Sequence, residues 1–203
     1  MGSDDSPDPG DRTLRLFVAL ELPESVRTAI GAWAASELAS IGSLRPVRID
    51  GLHVTLCFLG ATADSEVEAI GACCRRAATG HRPLRLSIGG LLALPRRRPR
   101  AVTVRVSDEG HGALGELQSG LAGALAAGGW YRPEPRPFLA HVTVARIRSG
   151  TRLDARALAE TGVASLSERL PTAVTADVVT LFESQTQPGG AVYQPRARVE
   201  LAA

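Results

Sequence analysis

The sequence predicts an α+β protein: two pseudo-symmetric lobes of mainly antiparallel sheet with outer helices, one similar strand from each lobe lining a central cleft. Three observations lead there. Strand-like and helix-like segments follow one another in a mixed order rather than as a regular strand–helix wind. The segment His53–Gly60, HVTLCFLG, has a counterpart 88 positions on in His141–Arg148, HVTVARIR, within a comparable run of strands and a helix. No linker in the 203 residues is long enough to separate a pair of independent domains. Residues 13–203 are therefore expected to form one bilobal domain. The acidic, turn-rich residues 1–12, MGSDDSPDPGDR, are expected to be a disordered tail.

Leu14–Leu22, LRLFVALEL, is an apolar run of strand length. Pro23 suits the first turn of a helix on which Val26, Ile30, Trp33 and Leu38 recur at helical spacing. RPVRID is expected as a short strand turning at Asp50-Gly51, and His53–Gly60 as a second clear strand closed by glycine. Ser65 and Glu68 make a capping-box pattern ahead of a helix carrying Val67, Ile70 and Cys74. Leu84–Leu94 and Ala101–Ser107 are expected as strands flanking the basic loop PRRRPR. Leu114, Leu117, Leu121 and Leu125 form a helical stripe ended by Gly128-Gly129. The proline-rich YRPEPRPFLA leads into His141–Arg148; Asp154 is placed as the cap of a short helix. Two late strands, about 173–183 and 191–201, flank a QPGG turn.

All 23 basic residues are arginine, and the net charge is only +2. Arginine presents a planar fork that matches phosphate oxygens. Cys57, Cys73 and Cys74 have neither disulfide-framework nor zinc-ligand spacing, which suits buried thiols in a reducing cytoplasm. No apolar run approaches the roughly 20 residues of a membrane span, and the N-terminal segment resembles neither a signal nor a transit peptide. A soluble, cytoplasmic monomer is expected.

The chemistry is concentrated in the two similar strands. Side chains alternate across a strand, so His53 and Thr55 share one face and Val54 and Leu56 the other. The same holds for His141 and Thr143 against Val142 and Val144. Each segment thus presents an imidazole and a hydroxyl together while burying an apolar pair. Two imidazoles meeting in one cleft suit a phosphodiester, because one serves as base while the other, protonated, serves as acid. The hydroxyls can hydrogen-bond non-bridging oxygens as charge shifts in the transition state. Neither strand contains Asp or Glu, so no metal and no cofactor is expected. Alternation also puts Cys57 on the face of His53, although burial as a small residue is favoured for it. His81 and His111 are assigned to loops.

HVTLCFLG and FLAHVTVARIR resemble the paired His-x-Thr-x motifs of the two-histidine phosphoesterase superfamily. With LRLFVALELP near the start and LFESQTQPGGAVYQP near the end, the chain is most similar to the RNA 2′,3′-cyclic phosphodiesterase (2′-5′ RNA ligase) family from about Leu14 to Leu201. That resemblance implies His53 as proton donor, His141 as proton acceptor, Thr55 and Thr143 as phosphate contacts, and Arg146 as an added cation. It implies RNA ends as substrate, a 2′-phosphate as product, and 2′-5′ ligation by reversal. The near-symmetric motifs do not themselves say which histidine is the acid. Simple alternation sets Arg146 on the opposite face from His141, so its role requires a bulge, a twist or the strand's end. The family usually has proline before the second histidine; this chain has Ala140.

Two other readings stand beside this one. One is a phosphodiesterase for a small cyclic nucleotide such as an ADP-ribose cyclic phosphate. The other is a non-catalytic RNA-binding module, against which retention of both His-Thr pairs argues. Arg96, Arg97, Arg98 and Arg100 suit either an RNA-steering loop or a solvated turn. Phe17, Phe58, Phe138, Tyr131 and Tyr193 are the candidate base-stacking rings; most lie in apolar strands and are assigned to the core, so sequence-specific RNA recognition is not expected.

Overall fold

The computed structural model describes residues 12–108, 112–153, 156, 158, 166, 168–170, 173–187 and 190–202. Its strands are β1 (Thr13–Glu21), β2 (Leu44–Pro46), β3 (His53–Ala63), β4 (Leu84–Leu94), β5 (Ala101–Ser107), β6 (His141–Ile147), β7 (Val174–Ala176), β8 (Val178–Gln187) and β9 (Gly190–Glu200). They are accompanied by the helices α1 (Glu24–Glu37), α2 (Val67–Ala78) and α3 (Ala113–Ala127). The strands make one sheet in the order β7-β4-β5-β6-β3-β1-β8-β9, with β2 also on β6, and every pairing is antiparallel. The sheet curls into a half-barrel, and the expected α+β class holds.

The order reads symmetrically outward from its centre. β3 and β6 lie side by side; β1 then β8 flank β3 as β5 then β4 flank β6. β3 and β6 are joined only through the pair Val54–Val142. The two halves therefore splay apart on either side of that contact, which opens the cleft.

One sheet face is apolar. Leu16, Val18 and Leu20 of β1 are fully buried there with Val54, Val142, Val102 and Val104. The leucine stripe of α3 and Ile70, Cys73 and Cys74 of α2 close over this face, with α3 against β3 and α2 against β8 and β9. The Gln118 amide of α3 donates to the Leu56 carbonyl. α1, although it follows β1 directly, packs instead on β2 and β6. It also meets a 3-10 turn at Ile49–Gly51, where a Cβ on Gly31 would stand 2.5 Å from Ile49 Cγ1; glycine makes that approach possible.

Several local expectations are corrected. RPVRID is strand only as far as Pro46, although Val47 still donates to the Val144 carbonyl, and the turn expected at Asp50-Gly51 is the 3-10 turn Ile49–Gly51. The Ser65/Glu68 capping box does not form: Asp64–Glu66 is a 3-10 turn, the cap position falls on Glu66, and no side chain caps it. The single strand expected over 173–183 is two strands broken at Asp177, because the chain there leaves β4, the partner of β7, for β1, the partner of β8. β9 carries a bulge at Arg196, whose guanidinium reaches Asp64 at 2.7 Å and the buried Glu183 at 3.3 Å. A buried carboxylate requires such a partner. The tail through Asp11, His111, Asp154 and the Pro188-Gly189 portion of the QPGG turn lie outside the described residues. Among the described residues no helix is long and apolar enough to cross a membrane.

Candidate active site

The Val54–Val142 pair sets the geometry of the site. One antiparallel step either side of it puts His53 across from Thr143 and His141 across from Thr55. Each imidazole therefore stands beside the hydroxyl of the other motif, on the face opposite the buried valines. The two histidines are diagonal neighbours, roughly 7–8 Å apart in a regular pair, a gap that a phosphate can span. Alternation sets which residues share a face, and the β3–β6 pairing brings the two polar faces together.

His53 is half-buried and enclosed by rings. Phe17 stacks on it at 4.9 Å between centroids, Tyr193 meets it edge-on at 5.2 Å, and Phe182 lies at 6.2 Å. Its Nε2 lies 3.1 Å from Thr55 Oγ1, and the ring bonds to the backbone at Gly51, the end of the 3-10 turn that α1 buttresses. Burial, with smaller contributions from the positive charges of Arg146 and His141, pushes its pKa from 6.5 down to about 4. His141 is set differently: its Nδ1 lies 2.7 Å from the Leu139 carbonyl, which leaves Nε2 free toward the cleft. The Ala140 carbonyl accepts from Val106 N at 3.0 Å, so the chain is held where the family usually has proline.

This environment makes His53 a determinant of stability in acid. An unfolded histidine protonates near pH 6.5, whereas folded His53 does so only near pH 4. Between those values the unfolded chain binds more protons, so stability falls as pH drops through that window and levels off below it. The full loss is on the order of 3 kcal/mol, at about 1.4 kcal/mol per unit. Urea unfolding at pH 7 and pH 4.5 should show a smaller decline for His53→Gln than for the unaltered protein. Equal declines would rule the explanation out.

Arg146 does reach the site face, and a bulge is the reason. β5 pairs Thr103 with Thr143 but Val102 with Ala145, so Val144 is an extra residue and the alternation inverts after it. Val144 and Ala145 are both buried, and Arg146 is exposed beside His53. β3 carries the same device at Leu56, skipped between Val18–Cys57 and Ala19–Thr55. That inversion turns Cys57 into the core, 1% exposed, against the simple alternation. Its thiol is pushed up to about 12 by burial. The residue matching Arg146 in the first half is Phe58, which is 50% exposed with the Arg15 guanidinium 5.6 Å from its ring centre.

Phe17 and Tyr193, candidate rings that the sequence favours for the core, stand at the site instead, and Phe182 is not singled out by the sequence. Phe17, Phe182 and Tyr193 gather around His53 although they come from three strands. Arg45 lies across from Arg146 in the β2–β6 pairing, so two guanidiniums share that end; like charges so placed are unfavourable without an anion between them. Arg96, Arg97, Arg98 and Arg100 are exposed on the β4–β5 hairpin, beyond the Arg146 end of the cleft.

Two histidine–threonine strands side by side on a curled antiparallel sheet define a two-histidine phosphoesterase. Residues 22–187 match the sequence profile of the 2′-5′ RNA ligase superfamily, and the chain belongs to that superfamily. A protein of Archaeoglobus fulgidus named RNA 2′,3′-cyclic phosphodiesterase is 30% identical over 136 residues, 66% of this chain and 73% of that one. A Thermus thermophilus protein of the same name is 34% identical over 140 residues, 66% and 68% of the two chains. A crystal structure described as a phosphoesterase superposes with a TM-score of 0.74 at 25% identity, covering 95% of this chain and 100% of that one. Escherichia coli LigT complexed with 3′-AMP shares the fold, with a TM-score of 0.73 at 24% identity over 95% and 100% of the two chains.

Proposed function

We propose that this protein is an RNA 2′,3′-cyclic phosphodiesterase that opens a terminal 2′,3′-cyclic phosphate to a 2′-phosphate by acid/base catalysis between His53 and His141. The observation that carries this reading is the register that sets each imidazole beside the other strand's hydroxyl. The relatives named RNA 2′,3′-cyclic phosphodiesterase support it.

His141 Nε2 takes a proton from water as the water oxygen attacks phosphorus. The P–O3′ bond breaks, and protonated His53 gives its proton to the departing O3′. Thr55, Thr143 and Arg146 hydrogen-bond the non-bridging oxygens, where negative charge accumulates. A phosphate anion in the cleft favours the imidazolium form of His53, countering the burial that holds it neutral in the empty site. A depressed pKa also makes the imidazolium a stronger proton donor. With an RNA 5′-hydroxyl attacking phosphorus in place of water, the same groups in the same roles form a 2′-5′ linkage; cleavage of that linkage runs with the roles exchanged. No step calls on a metal or cofactor. The protein would act on RNA ends as a cytoplasmic monomer; its three cysteines are free and buried, which suits a reducing compartment.

The test is an oligoribonucleotide ending in a 2′,3′-cyclic phosphate, supplied with EDTA present. Turnover to a 2′-phosphate is expected; a 3′-phosphate product or abolition by EDTA would refute the scheme. Arg146→Ala is expected to lower kcat by about 10²–10³-fold, as for removal of one transition-state donor. Arg146→Lys should recover only a fraction, since the ammonium lacks the planar fork. Unchanged kcat in the alanine variant would remove Arg146 from the mechanism.

A further inference from the structure

The pseudo-symmetry that relates the two motifs also relates their outer neighbours, and there the halves differ in charge. On the β3 side, β1 pairs Glu21 with His53. On the β6 side, β5 pairs Arg105 with His141 at the equivalent register. Cross-strand partners share a face, so Glu21 flanks one histidine and Arg105 the other.

Glu21 is satisfied within the protein. The Thr180 hydroxyl and the Arg198 guanidinium both donate to its carboxylate, the latter at 3.1–3.2 Å. With Phe17, Phe182 and Tyr193 around His53, that flank is walled by rings and a neutralised ion pair. Arg105 is exposed, and among the described residues no carboxylate pairs with it.

The face continues outward from Arg105 over small residues. Gly89 of β4 is its partner, and Ser87 faces Ser107 across the same pairing, their hydroxyls 2.8 Å apart. Arg85 follows at the next position on that face; it too is exposed and without a carboxylate partner among the described residues. Arg85 lies four positions from Gly89, about 13 Å along the strand. Two unneutralised guanidiniums on rigid strands, with a low floor between them, lead away from His141. On the opposite flank Arg196 and Arg198 are already paired with Asp64, Glu183 and Glu21, and Arg15 lies against the Phe58 ring.

We propose that the RNA strand leaves the cleft across β5 and β4, with Arg105 and Arg85 holding the phosphates upstream of the terminal nucleotide. This path rests on the cyclic phosphodiesterase reading and deepens it: these arginines let the enzyme prefer a polynucleotide end over a mononucleotide. They touch no reacting atom, so they act on binding of the chain and not on the chemical step.

The experiment compares Arg105→Gln, Arg85→Gln, their double variant and a fourfold Gln variant of Arg96, Arg97, Arg98 and Arg100. Substrates are a cyclic-phosphate-terminated oligoribonucleotide of about ten residues and a 2′,3′-cyclic mononucleotide. Each of the first two substitutions should raise KM for the oligomer and leave kcat and KM for the mononucleotide unchanged. Each should also reduce the slope of log affinity against log salt by about 0.7, as for one lost phosphate contact on a single strand. Equal losses on both substrates, or a slope that falls only in the hairpin variant, would overturn the path. The same slopes measured by fluorescence anisotropy with a 2′-phosphorylated oligomer decide the path without any turnover. Failure of the unaltered protein to turn over either substrate counts against the cyclic phosphodiesterase reading instead. Failure to bind the oligomer, or slopes the variants do not change, counts against the path.

Discussion

Replacing either His53 or His141 by alanine is expected to lower kcat on a cyclic-phosphate RNA end by about 10²–10⁴-fold, the usual contribution of one general acid or base. The two losses should not multiply in the double variant under the proposed mechanism, in which acid and base act in a single concerted displacement. The side chains sit differently, and that separates chemical from structural effects. Among the described residues the His141 ring is held by the Leu139 carbonyl at the sheet surface, so its removal should leave the melting temperature nearly unchanged. His53 is packed among Phe17, Phe182 and Tyr193, and its truncation leaves a gap in that cluster. His53→Gln is therefore the companion variant, filling much of the space without titrating. Activity within tenfold of the unaltered protein for either alanine variant, with the fold intact, would eliminate the two-histidine mechanism.

The second large effect is on stability. Trp33 of α1 is fully buried, and Trp33→Ala should cost about 3–5 kcal/mol, the sum of lost transfer energy and the cavity left behind. The consequence should reach the site as well. α1 supports the Ile49–Gly51 turn, and that turn holds His53 through its backbone at Gly51. Denaturant unfolding should show the loss in full, and kcat measured well below the unfolding midpoint should also fall. A loss under about 1 kcal/mol would mean that the helix relaxes into the cavity.

Much of this was legible in the chain. The strands of the two motifs, the leucine stripe of α3 and the limits of β4 and β5 follow from hydrophobic period and turn residues, which are local properties. The His-Thr facing also follows, because alternation is nearly obligatory in a strand. What local pattern does not encode is where alternation breaks. Leu56 and Val144 look like ordinary apolar strand residues, yet each is a bulge, and they decide that Cys57 is buried and that Arg146 faces the cleft. The partners Phe17, Phe182, Tyr193, Glu21 and Arg105 come from strands distant in sequence, and only the pairing register brings them to the histidines. Asp177, where one expected strand becomes two, is likewise a topological event: it marks a change of sheet neighbour and not a change of propensity.

The placement of the helices has a consequence for ancestry. α1 belongs to the first half but covers β6, and α3 belongs to the second half but covers β3. A protein of half this length, with one motif, would leave its motif strand uncovered unless it traded helices with a copy of itself. Such an exchange about a two-fold axis would already place two imidazoles in one cleft, so a pair of histidines would follow from symmetry before any specialisation. Joining two such copies in one chain would release each half from identity with the other. Glu21 on one flank and Arg105 on the other are what that release permits: a cleft built by symmetry with two ends that are no longer the same.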